Sequence, residues 1–251
     1  MKDISERFWN TSMAEFKCGY IEEKYRFICL LCGMEIEKGI VYAEQEVIYE
    51  AERYMRVHIE KVHHSVFEYL VNLDKKLTGL TDHQKALVQL FYQGKSDSEV
   101  QAAMKIGSLS TIRNHRFVLK EKERQAKVFL AIMELLKEKD KFAPAFISLH
   151  KTATMVDDRY NVTEEEEERI LRKCFSEGIN GPLKWLPAKE KHKIVVLRVI
   201  VCRFDRERSY EESEVNKILR AAYDDYVSLR RYLIDYGFLD RNAEGSKYWL
   251  K

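Results

Sequence analysis

Four side chains constrain this chain more than any other feature. Cys29 and Cys32 enclose only Leu30 and Leu31; 25 residues then separate Cys32 from His58, and four separate His58 from His63. Thiolate and imidazole are borderline-soft donors. A cysteine pair on a turn facing a histidine pair on a helix can enclose one tetrahedral Zn(II). Cys29, Cys32, His58 and His63 are therefore the expected ligands of a structural zinc ion, with His64 as an alternative to His63. The surrounding pattern agrees. Gly33 suits a tight turn, residues 39–43 and 46–49 read as two short strands, and helical spacing runs from about Glu50 through Ala51, Met55 and His58 to His63. Four protein ligands leave no open position for a reacting water. Glu60, the nearby carboxylate, lies between the two histidines without hydrolase spacing, so no enzyme is expected. Cys18, Cys174 and Cys202 stand alone and read as ordinary buried thiols.

The 251 residues suit two or more domains. Only three prolines and ten glycines favour helices over a many-turned all-β chain, and the expected class is mainly α with some β (α+β). The longest apolar run, Ile194–Cys202, spans nine residues and contains Arg198. A bilayer span needs about 20, so no membrane helix is expected. Five cysteines and a charged opening segment point to a reducing cytoplasm. The net charge of +2 hides an alternation: residues 1–77 carry −3, 78–141 carry +4, 142–181 carry −3 and 182–251 carry +4. These blocks give the expected organisation: a zinc-binding module at 1–77, a helix-turn-helix with a long following helix at 78–141, an acidic helical connector at 142–181, and a winged-helix-like domain at 182–251.

The helix-turn-helix rests on punctuation. Thr81 with Gln84, and Ser96 with Glu99, are capping boxes that start two helices. Gly94 ends the first, and Lys105-Ile106-Gly107 forms the turn before a third helix that begins near Ser108 to Ser110. Ile112 should face the core. Thr111, Arg113, Asn114 and Arg116 are small or polar enough to enter a major groove, where Arg pairs with guanine and Asn with adenine. Lys120, Lys122, Arg124 and Lys127 offer further phosphate contacts. Residues 78–119, above all Ser110-Thr111-Ile112-Arg113-Asn114-His115, resemble the DNA-binding domain of LuxR-type transcription regulators. The resemblance implies a third helix that reads double-stranded DNA, with Thr111, Arg113 and Asn114 as contacts, usually in a homodimer. The chain departs from that family after His115: the short fourth helix is replaced by a continuous helix into the apolar stretch 128–136. That stretch is either a replacement dimer interface or packs on its own chain.

Beyond Pro187 the pattern is three helices and a hairpin, the outline of a winged helix. The helices start near Lys189, at a Ser209–Glu212 capping box, and near Asp225; Gly237 ends the last, and residues 238–241 and 247–250 read as strands. Arg230 and Arg231 on the third helix, and Lys247 on the wing, are the candidate DNA contacts. The strings Tyr210–Asn216, Asp225–Arg231 and Gly245–Trp249 resemble a bacterial domain family of unknown function, which implies a module carried by bacterial regulators. The expected function is thus a sequence-specific DNA-binding transcription regulator. The alternative is a protein-interaction adaptor that uses the same folds without touching DNA.

Overall fold

The computed structural model describes residues 4–205 and 208–251, with about 53% of the chain helical and only small sheets. The chain opens with two short helices, α1 (Ile4–Asn10) and α2 (Met13–Cys18). Ser12 and Glu15 cap α2 reciprocally. An antiparallel sheet follows: β1 (Tyr20–Glu22), β2 (Arg26–Cys29) and β3 (Glu35–Glu37), with β2 central. A second hairpin, β4 (Val41–Glu44) with β5 (Val47–Glu50), leads directly into α3 (Ala51–His63). Ala51, Met55 and Ile59, spaced four apart, form the buried stripe of α3 and join Phe8, Phe27, Leu30 and Ile36 in one core. Short helices α4 (Val66–Val71) and α5 (Lys75–Thr78) complete this part.

The central residues hold three helices, α6 (Asp82–Tyr92), α7 (Asp97–Met104) and α8 (Leu109–Lys139). Both expected capping boxes form, at Thr81/Gln84 and Ser96/Glu99. Lys105 takes a left-handed conformation at φ 53° and turns the chain towards α8. The fully buried side chains here are Leu87, Val100 and Ile112, one from each helix, flanked by Leu90, Phe91, Met104 and Ile106. Helix α8 runs unbroken for 31 residues, or about 46 Å at 1.5 Å per residue. Along it Val128, Phe129, Leu130, Ile132, Leu135 and Leu136 are exposed.

The remainder contains α9 (Glu164–Cys174), α10 (Glu190–Val201), β6 (Ser209–Glu211), α11 (Glu212–Arg220), α12 (Tyr226–Asp235), β7 (Leu239–Arg241) and β8 (Lys247–Leu250). Helix α10 is buried nearly all round through Ile194, Val195, Val196, Leu197 and Ile200. The three strands form one antiparallel sheet in the order β6-β8-β7. Strand β6 replaces the capping box expected at Ser209: Ser209 pairs with Trp249, and the reciprocal cap lies two residues on, between Glu211 and Glu214.

The four expected blocks condense into two compact units. One joins the chain up to Leu77 with Ala145–Lys251; the other is Thr78–Pro144. Of residues 142–181, expected as a connector, the stretch from 145 on contributes to a core: Ile147, Ala153, Tyr160, Val162, Ile170 and Phe175 are buried with the side chains of α10, α11 and α12. No helix among the described residues is long and apolar enough to cross a membrane.

Candidate functional site

Strand β2 delivers Cys29 at its last residue, and the turn after it delivers Cys32. Backbone bonds hold that turn: Gly33 N–H donates to the Cys29 carbonyl, and Cys29 N–H to the Met34 carbonyl, both at 2.8 Å. The Met34 N–H points at Cys32 Sγ at 3.5 Å. Helix α3 delivers His58 and His63. A five-residue offset would place His63 off the His58 face of a continuing helix. The helix instead ends at His63, and the chain reverses at His64 (φ 60°, ψ −50°), with Ser65 N–H donating to the His63 carbonyl at 2.6 Å. This is a γ-turn, a strained conformation for a non-glycine residue.

The result is one cluster. The donor atoms of Cys29, Cys32, His58 and His63 lie within 4.8 Å of one another. Cys32 Sγ is 3.2 Å from His58 Nε2, and Cys29 Sγ is 3.7 Å from His63 Nε2. Sulfur and nitrogen ligands on a tetrahedral zinc stand about 3.5 Å apart, given bonds of about 2.3 and 2.0 Å. The four residues thus lie within reach of one metal ion, and donor set and spacing are compatible with zinc. His64 is exposed and outside the cluster. A hydrogen bond from the Cys29 thiol, followed by bonds with His58 and His63, holds Cys32 far below the usual thiol range; the same thiol pair pushes Cys29 up.

The signal missing from the sequence is Lys151. Its side chain is 4% exposed, and its ammonium donates to the Leu30 carbonyl at 2.9 Å and the Leu31 carbonyl at 2.5 Å. The rings of Phe8 and Tyr69 lie 5.6 Å from it. A lysine 120 residues downstream thus braces the two residues between the cysteines. Lys151→Met keeps the volume but abandons both carbonyls. Its expected result is about tenfold weaker zinc binding, the lower end for partners that orient ligands. Competition against a chromophoric chelator measures this, and an unchanged affinity would remove Lys151 from the support of the centre.

Of the remaining cysteines, Cys174 is buried as expected, but Cys18 and Cys202 are exposed. Cys18 ends α2 on its solvent side, and Cys202 follows the last turn of α10.

In the central unit, Thr111, Arg113 and Asn114 are exposed on the first turns of α8, while Ile112 between them is fully buried. Hydroxyls crowd that end: Ser108 lies 2.8 Å from Ser110 and 2.9 Å from Thr111. Arg116 is engaged within the unit, donating to Asp97 at 2.8 Å and lying 3.7 Å over the Phe91 ring. Lys120 pairs with Glu123, Arg124 with Glu121, and Lys122 donates to the Gly79 carbonyl. His115 stands against His83, ring centroids 5.0 Å apart. Near the carboxyl end, Arg230 is held by Glu212 and Asn216, both at 2.5 Å, whereas Arg231 and Lys247 are exposed.

The described residues form a mainly helical protein with a Cys2His2 cluster within reach of one metal ion. Residues 182–250 match a family model described as an uncharacterized protein conserved in bacteria (DUF2087). No LuxR-type or other helix-turn-helix family model matches the chain. No curated protein and no solved structure matches it.

Proposed function

We propose that the protein is a sequence-specific DNA-binding transcription regulator in which the first turns of α8 enter the major groove. The supporting observation is the alternation at the start of α8. Ile112 locks the helix onto α6 and α7, which leaves Thr111, Arg113 and Asn114 projecting from a polar helix end. A helix-turn-helix reader needs that arrangement. The +4 charge of residues 78–141 favours a polyanion. In this reading Arg116 positions α7 against α8 and reads no base. The internal pairing of Lys120, Lys122 and Arg124 leaves few free phosphate contacts, so the salt dependence should be shallow. The carboxyl-terminal order α10-β6-α11-α12-β7-β8 is that of a winged helix, with Arg231 and Lys247 as its accessible cations. Zinc at Cys29, Cys32, His58 and His63 is structural in this reading, because four protein donors close the tetrahedron.

Selection of duplexes from random oligonucleotides tests the proposal. A defined sequence should emerge. Arg113→Ala and Asn114→Ala should each weaken it by about 1–3 kcal/mol and relax preference at one base pair, without changing the melting temperature. The absence of any complex at low salt would leave the adaptor reading in place. The exposed apolar stretch 128–136 on α8 favours that reading as a docking surface.

A further inference from the structure

We propose that the cleft between α9 and the start of α10 binds a small aromatic carboxylate: a single ring bearing one negative charge. The cleft encloses about 210 Å³. That is below the roughly 300 Å³ at which drug-sized pockets begin, so the occupant has one ring rather than a nucleotide or a lipid. Ile170, Pro187 and Trp185 supply an apolar wall, and Arg169, Lys173 and His192 a polar one. Trp185 is 42% exposed, a large aromatic face left beside cations. Lys184 lies 5.8 Å over its ring and adds a further positive charge.

Arg169 lies within electrostatic reach of Glu166, and its Nε donates to the Glu165 carbonyl at 3.4 Å. Arg169 and Lys173 stand one turn apart on α9, and neither forms an ion pair among the described residues. Such like-charged neighbours repel unless an anion joins them. The carboxylate at the cleft, Glu166, is already committed: it receives the Thr163 N–H at 3.2 Å and the Lys191 ammonium at 3.2 Å. His192 reports the field. Burial lowers its pKa first, and Lys189, Lys191 and Lys173 push it the same way against Glu166. The neutral imidazole can donate to a carboxylate while the two cations balance its charge, and the ring lies against Trp185 and Pro187. This site goes beyond the DNA-binding reading and does not depend on it.

Isothermal titration of the full chain with benzoate, benzamide and inorganic phosphate tests it. Benzoate should bind, and quench tryptophan fluorescence; benzamide and phosphate should each bind at least about tenfold more weakly, since each lacks one of the two recognised features. The double variant Arg169→Gln/Lys173→Gln, at exposed positions, should melt normally and lose about tenfold or more in benzoate affinity. Trp185→Phe should remove the quench. Equal binding of benzamide or of phosphate, unchanged affinity in the double variant, a full quench in Trp185→Phe, or no heat at millimolar benzoate would each overturn the proposal.

Discussion

Removing the metal should unfold the amino-terminal part of the chain and lower the melting temperature by more than about 10 °C. The core around the site is small: Phe8, Phe27, Leu30, Ile36, Ala51, Met55 and Ile59 surround Cys29, which has no exposed surface. Without an ion, two sulfurs and two imidazoles face one another with only weak hydrogen bonds to satisfy them. Structural zinc contributes about 10–16 kcal/mol in zinc-finger peptides, comparable to the whole stability of an ordinary domain. Thermal melts followed by circular dichroism, with and without a strong chelator, give the comparison, and added zinc should restore the original curve. Cys32→Ser should behave like the chelated protein. A metal-free chain, verified by elemental analysis, that melts within a degree of the loaded one would show that the cluster does not hold the fold.

The second large effect is expected from Gly237→Ala. Gly237 follows α12 at φ 80°, and a Cβ there would sit 2.2 Å from the Thr152 carbonyl oxygen and 3.1 Å from Thr154 Cγ2. Neither neighbour can yield freely. Thr154 Oγ1 donates to the Asp235 carbonyl at 2.6 Å, and His150 Nε2 meets the Tyr236 carbonyl at 2.9 Å, so residues 150–154 satisfy the last carbonyls of α12. The methyl must push that segment away from the helix end, at a cost of about 3 kcal/mol or more. Gly94→Ala is the control. Gly94 has φ 75° but open space where a Cβ would stand, so only the backbone penalty of about 1–2 kcal/mol applies. Urea unfolding of the two variants separates clash from conformation, and equal losses would refute the contact at Thr152.

What could be read from the sequence follows the range of the forces involved. The four-residue cluster is legible because its donor types are fixed and stand on two local elements, a turn and a helix end. Capping boxes at Thr81 and Ser96 form as expected, since their bonds close within three residues. The same rule misled at Ser209, where a Ser followed three residues on by Glu212 mimics a cap but pairing with Trp249 claims the segment for a strand. The burial of residues 145–163 is not legible, because Ile147, Ala153 and Val162 sit in irregular chain and Tyr160 in a single 3-10 turn, and burial there leaves no period to detect. Arg116 and Arg230 read as candidate DNA contacts because the partners that engage them lie 19 and 14 or 18 residues away. Lys151 is not legible in the sequence, since the Leu30 and Leu31 carbonyls and the Phe8 and Tyr69 rings that it meets are each more than 80 residues distant.

The bond between Lys151 and the Leu30 and Leu31 carbonyls has a consequence for biosynthesis. Ribosomes deliver about 5–20 residues per second, so Lys151 is made roughly 6–24 seconds after Leu31. During that interval the nascent knuckle carries its cysteines without its brace, and the three-helix insert is polymerised before the discontinuous unit can close. Metal capture during translation would hold the early segment in register until the later one arrives.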